Sequence, residues 1–447
     1  MSALAEAAFR AKLAVAGRSS VAALEAFREA DALPPKRIEE LSLRRAADHA
    51  RFAMEHSPFY RDYYRDHGFR PSDLADPDAF TVLPLVDKAM LREHGKSIRT
   101  DEATDRTAAT SKTGGSTGLP LHIQRDLRFP ARALEWRLFS WWGVRPWDDR
   151  GILTRHMHQG GARIRHGLSW WPSRHIQLDA FHIDDDAARA FAAQWQRVRP
   201  RFLLGYGGGV LDLARRLDRL GTTLEPPHAI AVTAAPLAPG TRAEIEAAFG
   251  APVHDHYRSA EVPWLAGECA EHDGLHVFAD VRRVEILGED DRPLPDGTEG
   301  SVVASDLTNR VFPVIRYRIG DISRRLRGTC ACGRGLPRLG AIAGRASDAV
   351  RLPDGTTIAG ALGHIFDDAP LSVRQFEIVQ AADGGVTLRC IPNPADATAA
   401  EAGIAGAERR LRQALRGLVP IAVERVAEIP QVGGKMRFIR SEYREAA

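Results

Sequence analysis

Cysteine is scarce in this chain, with four in 447 residues. So few thiols cannot staple a fold of this length, which excludes a secreted disulfide framework and points to a reducing cytoplasm. Long hydrophobic runs are missing as well. No stretch of about 18 apolar residues occurs, so no segment has the length to cross a bilayer as a helix, and no membrane partner is expected. A dominant charge is equally lacking. Lys and Arg total 61 against 58 Asp and Glu, a net charge of +3. The basic residues are spread rather than clustered, which excludes the electrostatic footprint of a nucleic-acid binder. The alanine-rich N-terminus carries Arg10, Lys12 and Arg18, but also Glu6, Glu25 and Glu29. It has no apolar stretch ending in a small-residue cleavage site, and reads as a first helix rather than a targeting segment.

What is present is an ordinary globular composition, 44% hydrophobic and 27% charged, in a chain long enough for about two or three domains. Helical patterns fill the first part, with Pro34 and Pro35 separating two of them. Val210, Leu213, Ala214, Leu217 and Leu220 fall at the spacing of a buried helical stripe that Gly221 would close. The Gly205-Tyr-Gly-Gly-Gly209 run reads as the entry to that helix, and the tryptophans 141, 142, 170 and 171 as core or pocket wall. Residues 229–235, 276–287 and 301–306 read as strands alternating with helices, the pattern of an α/β core. Pro293, Pro295, Asp296 and Gly297 mark a turn.

The texture changes near residue 348. Asp383-Gly-Gly385 would join strands 375–381 and 386–391 as a hairpin, a helix would follow with Ile404, Leu411, Leu415 and Leu418 on one face, and 421–429 would be a final strand. Cys390 reads as a small core residue. The fold class expected is α/β, with a large N-terminal domain over 1–347 and a small α+β domain over 348–447.

Two local patterns carry chemistry. Thr113-Gly-Gly-Ser-Thr-Gly-Leu-Pro120 combines glycines 114, 115 and 118 with three hydroxyl residues. Backbone N–H groups of such a run form a concave nest for an anion, and Thr113, Ser116 and Thr117 add donors. It is not a kinase-type phosphate loop, since Gly118 is followed by Leu119 and Pro120 rather than a lysine. In the second pattern, Cys330-Ala-Cys332 and Cys269 with a histidine make a Cys₃His set suited to a structural zinc ion; His276 and His272 compete for the fourth position.

The glycine-rich run resembles the phosphate-binding signature of the adenylate-forming superfamily, in the branch of phenylacetate–CoA ligases and CapK proteins. Further segments resemble that branch in family order: His56-Ser-Pro-Phe-Tyr-Arg61, Leu83-Pro-Leu-Val-Asp-Lys88, Thr233-Ala-Ala-Pro-Leu237, Tyr257-Arg-Ser-Ala-Glu261, Arg316-Tyr-Arg-Ile-Gly-Asp321, Gly344-Arg-Ala-Ser-Asp348 and Gly433-Gly-Lys-Met-Arg437. The 257–261 segment departs from the family, with Arg258 in place of a glycine and Ala260 in place of Ser/Thr.

The resemblance implies a packed adenylation domain with a mobile C-terminal lid turning about Asp348. It implies an ATP site made by Thr113, Gly115, Ser116, Thr117, Gly118, Ala234, Ala235, Pro236, Tyr257, Asp321 and Arg345. Asp321 would accept from the ribose hydroxyls, and Glu261 would hold Mg²⁺. Lys435, with Glu261 and Thr117, would serve catalysis, Lys435 contacting the reacting carboxylate and the α-phosphate. The branch also favours His276 over His272 for zinc. The activity implied is activation of a small carboxylic acid by ATP, then acyl transfer to CoA. Transfer to an amine or hydroxyl, and nucleotide binding without catalysis, are the alternatives, and both monomer and homodimer are compatible with the sequence.

Overall fold

A computed structural model describes residues 2–16, 18–113, 121–155, 157–180, 183–345, 349–354, 356–358, 362, 365–366, 368–429 and 438–443. The chain forms two compact units. One comprises Met1–Val15, Phe139–His256 and Ala341–Ala447, the other Ala16–Leu138 and Tyr257–Gly340. Among the described residues no helix is long and apolar enough to cross a membrane.

The first unit is built on parallel strands in the order His175–Asp179, Arg150–Thr154, Phe202–Tyr206, Ala229–Thr233 and Val253–Tyr257. Ala229–Thr233 is buried at every residue, as a strand covered on both faces must be. Helix Gly207–Arg219 buries Val210, Leu213, Ala214 and Leu217 of the expected stripe, with Gly207 at its first position; Leu220, also expected there, follows the helix and is half-buried. Trp195 fills the core beneath Asp185–Val198 and donates its indole N–H to the Glu225 carbonyl at 2.9 Å. Trp141 and Trp142 are buried, whereas Trp171 is 51% exposed and is no part of a core.

The C-terminal stretch of this unit has a core of its own. Strands Ile421–Arg425, Val386–Pro392, Val373–Gln380 and Ile439–Ser441 lie side by side in that order. The middle pair is the expected antiparallel hairpin, and the outer strands run parallel to their neighbours. Helix Ala397–Ala414 packs Ile404, Ala407 and Leu411 against it, together with Cys390. Leu418 departs from expectation at 45% exposed. The helix ends at Ala414, and the left-handed Arg416 and Gly417 turn the chain away before Leu418. The last expected strand is likewise shorter, ending at Arg425.

Helix Pro239–Phe249 receives this stretch. Thr241 Oγ1 donates to the Arg374 carbonyl at 3.1 Å, and Glu244 accepts from both Arg215 and Arg374. Burial pushes the Glu244 carboxyl up, yet the two guanidiniums hold it below its ordinary range.

In the second unit, helix Pro35–His56 packs on helix Pro58–Asp66 and on strand Arg282–Leu287. An antiparallel hairpin pairs Ala108–Thr113 with Leu121–Asp126, Thr113 facing Leu121, so residues 114–120 join the two strands. Arg282–Leu287, Glu299–Asp306 and Val314–Arg324 form an antiparallel meander. The expectation of one strand over 276–287 therefore fails. Leu275–Val277 pairs instead with Ala266–Glu268 and Arg338–Leu339, and a turn at Phe278 (Arg282 N to Phe278 O, 2.8 Å) starts the meander. Asp280 in that turn meets the buried Arg137 at 2.7 Å, whose guanidinium also binds Asp31. Two carboxylates around one buried guanidinium explain why the turn outweighs a continuous strand.

Gly240 sits where a Cβ would lie 2.1 Å from the Val373 carbonyl oxygen, a backbone atom that cannot yield cheaply. Gly240→Ala should therefore destabilise the protein by about 1–3 kcal/mol in urea unfolding. Gly161→Ala is the control, since a Cβ there meets nothing within 4 Å; it should be neutral or slightly stabilising. Equal effects at the two positions would show that the C-terminal stretch does not sit on this helix.

Candidate functional site

Strand Val314–Arg324 is held by pieces of chain far away in sequence. The Tyr60 hydroxyl donates to the Pro313 carbonyl at 3.1 Å and accepts from Ile315 N at 3.2 Å. Val86 N donates to Arg316 O at 3.0 Å, and Arg318 N to Val86 O at 2.9 Å. Segments 56–61 and 83–88, separate along the sequence, thus meet the 316–321 segment on one strand. Arg316 is 2% exposed and in a left-handed conformation (φ 44°). Its guanidinium binds Glu285 at 3.2 Å and the Leu83 carbonyl. Burial pushes the Glu285 carboxyl above its usual range, with Arg316 opposing. Arg316 is therefore a structural member of its segment.

Gly320 takes φ +89°, a conformation that side-chain-bearing residues adopt only under strain, and the next residue is Asp321. The Tyr257 hydroxyl donates to Asp321 Oδ2 at 2.7 Å. This is a charge-assisted bond that fixes the carboxylate. Tyr257 ends its strand 8% exposed, so its polar tip, as well as its ring, is committed.

After Tyr257 the chain makes a closed turn. Leu265 N donates to Tyr257 O at 3.0 Å, and Val262 N to Ser259 Oγ at 2.8 Å. Glu261 on this turn is 7% exposed, and among the described residues it makes no hydrogen bond or ion pair. A carboxylate whose oxygens accept no hydrogen bond from the described residues can take a cation. Arg125 Nη2 donates to the Ala260 carbonyl at 2.9 Å, and Arg258 lies 4.9 Å from the centre of the Trp264 ring. Nothing in the sequence around Arg125 marks it for this place.

In the first unit, Thr233 Oγ1 donates to His256 O at 2.8 Å, tying the ends of two parallel strands. Ala234 follows with φ +72° and is exposed, Ala235 and Pro236 half-buried behind it. A left-handed alanine costs about 1–2 kcal/mol, and such strain collects at ligand sites beyond strand C-termini. Thr113 ends the first strand of its hairpin and Arg345 ends the short strand Gly344–Arg345. Gly115, Ser116, Thr117, Gly118, Asp348 and Lys435 lie outside the described residues.

The structure brings Cys269, His276, Cys330 and Cys332 together, their ligand atoms all within 4.8 Å of one another. Cys269 Sγ is 3.6 Å from Cys330 Sγ, and Cys332 Sγ is 3.4 Å from His276 Nε2. A zinc tetrahedron with Zn–S bonds of about 2.3 Å has S···S edges of about 3.8 Å, so the spacing fits an ion. It is far too long for a disulfide. His276 is fully buried in strand Leu275–Val277, and burial lowers its pKa to about 4, so the ring is neutral and can ligate. Burial pushes the Cys269 thiol up to about 12. His272 stands outside the set, turned by φ 51° toward Glu268 Oε2 at 3.2 Å.

No family model matches the chain. A phenylacetate–coenzyme A ligase of Thermus thermophilus is 24% identical over 335 residues, 72% of this chain and 73% of that protein. The Pseudomonas putida enzyme of the same name is 28% identical over 71% of this chain and 72% of its own length. A crystal structure of a 2-hydroxyisobutyryl-CoA ligase, in the postadenylation state with R3-HIB-AMP, aligns with a TM-score of 0.73 at 22% identity. It covers 94% of this chain and 92% of that one, a likeness of fold. The chain is thus similar in sequence to phenylacetate–coenzyme A ligases over about seven-tenths of its length, and in fold to a CoA ligase over nearly all of it.

Proposed function

We propose that this protein is an AMP-forming carboxylate–CoA ligase. The observation that carries this reading is the Tyr257–Asp321 bond, with Glu261 buried four positions after Tyr257 and in no ion pair among the described residues, and with phenylacetate–CoA ligases as relatives. A carboxylate oxygen of the acid attacks the α-phosphorus of ATP, and the bond to pyrophosphate breaks. The CoA thiolate then attacks the acyl carbonyl of the adenylate, and AMP leaves. Neither step needs a nucleophile from the protein, so the chain's work is positioning and charge stabilisation.

Asp321, fixed by Tyr257, accepts from the ribose hydroxyls, with Arg345 in support; Ala234, Ala235 and Pro236 line the adenine. Thr113, Ser116 and Thr117 donate to the phosphates, with the backbone at Gly115 and Gly118. Glu261 is the residue that fits Mg²⁺, which prefers one or two carboxylates beside phosphate oxygens and supplies charge neutralisation there. Lys435 steadies the reacting carboxylate during adenylation. Residues 348–447 act as a lid on 1–347, turning about Asp348 between the two steps. Four cysteines, none of them in a disulfide, suit a cytoplasmic enzyme.

Incubation with ATP, CoA and a panel of carboxylic acids, read by mass spectrometry, should give AMP, pyrophosphate and an acyl-CoA. ADP with orthophosphate would sink the reading. Tyr257→Phe should raise KM for ATP about tenfold or more, the worth of a hydrogen bond to a charged group, with little change in KM for the acid. An unchanged ATP dependence would remove Asp321 from the nucleotide site.

We also propose that Cys269, His276, Cys330 and Cys332 hold a structural zinc ion, whose four positions are all filled by protein. Elemental analysis should find about one zinc per chain, and Cys332→Ser should lower both metal content and melting temperature, because zinc binding is coupled to folding. Full stability without metal would dispose of the site.

A further inference from the structure

Three arginines surround the turn that carries Glu261, and they differ in how their charge is met. Arg282 is fully buried and answered: Nη1 binds Asp306 at 2.6 Å and Thr308 at 3.0 Å, and Nε donates to the Pro263 carbonyl at 2.9 Å. Arg125 and Arg258 are not. Arg125 reaches the turn through one bond to the Ala260 carbonyl, and Arg258 lies against Trp264. Among the described residues neither forms an ion pair, and the adjacent Glu261 forms none either. Burial, and next the Arg258 charge, lower the pKa of Arg125, with Asp306 and Glu261 opposing.

Arg125 is half-buried near the exposed Arg258, and the two like charges repel; Asp306 and Glu261 offset this only through space, with no carboxylate paired to either guanidinium. A planar fork on Arg125 tied at one N–H, and a second fork held over an indole, are pre-ordered for an oxygen anion. We propose that Arg125 and Arg258 form an oxyanion subsite beside Glu261, taking either the leaving phosphates of the nucleotide or a second acidic group on the acid substrate. This rests on the ligase reading, and it gives Arg258 a task at the one position of its segment where the motif it resembles has a glycine.

Arg258 is exposed, so Arg258→Gln removes charge without opening the core; an unchanged melting temperature verifies this. Inorganic pyrophosphate with Mg²⁺ is titrated into wild type and variant by calorimetry, which needs no turnover. In parallel, KM is measured for ATP and for the pairs benzoate with terephthalate and butyrate with glutarate. If the anion is a phosphate, Arg258→Gln weakens pyrophosphate binding and raises KM for ATP by about 10- to 100-fold, and Arg258→Lys restores part of each. If it is on the acid, pyrophosphate binding is unchanged and the variant loses roughly tenfold in its diacid-over-monoacid ratio. Wild-type values for pyrophosphate affinity, ATP and the diacid ratio alike would overturn the subsite. Wild-type turnover to ADP would instead sink the ligase reading while leaving the pyrophosphate titration to judge the subsite.

Discussion

Strand Val314–Arg324 carries Asp321 near its end, and the hydrogen bonds that place it come from far along the chain. Tyr60 brackets Pro313 and Ile315 through a single hydroxyl, Val86 pairs on both sides with Arg316 and Arg318, and Tyr257 binds Asp321 itself. Each bond is worth only about 1 kcal/mol net. The buried Arg316 raises the stake, because stripping a partner from a buried ion pair costs about 3–5 kcal/mol. Its fork reaches Glu285, two strands away on the far side of the meander, and the Leu83 carbonyl. The N-terminal segments therefore fix the strand on which the Asp321 carboxylate is presented.

Charge in this protein falls into two kinds. Arg137 lies between Asp31 and Asp280, and Glu244 lies between Arg215 and Arg374. These clusters are closed, each charge answered inside the chain, and they join segments more than 25 residues apart. Around Glu261 the balance is left open. Glu261 and Arg258 lie on one turn that Arg125 reaches from its hairpin strand, and none of the three forms an ion pair among the described residues. What holds the two guanidiniums there is one bond to the Ala260 carbonyl and the face of the Trp264 ring, not a carboxylate pair.

The metal cluster shows the same dependence on distant contacts. Cys330 and Cys332 are presented by one loop, Cys269 by the end of strand Ala266–Glu268 and His276 by the middle of the next strand. Pairing of His276 with Arg338 sets the register that points its imidazole at Cys332. His272, four residues earlier, is spent on Glu268.

Local chemistry was legible in the sequence wherever it is written in neighbouring residues. The buried strand Ala229–Thr233, the stripe of Gly207–Arg219 and the hairpin at Asp383 follow from periodicity and turn residues, as does the pairing of Cys330 with Cys332 in one loop. So do the kinds of residue at the candidate site, a glycine before Asp321 and an acid after Tyr257. Only the tertiary structure decided which partner answers each of them. The break of 276–287 into two strands follows from Arg137 and Asp280, 143 residues apart. The exposure of Leu418 follows from a left-handed pair that no helical period records. Tyr257 binding Asp321 and Arg125 reaching Ala260 join residues 64 and 135 positions apart. A side chain's identity fixes what it can bind, but crossovers and strand register fix what comes within its reach.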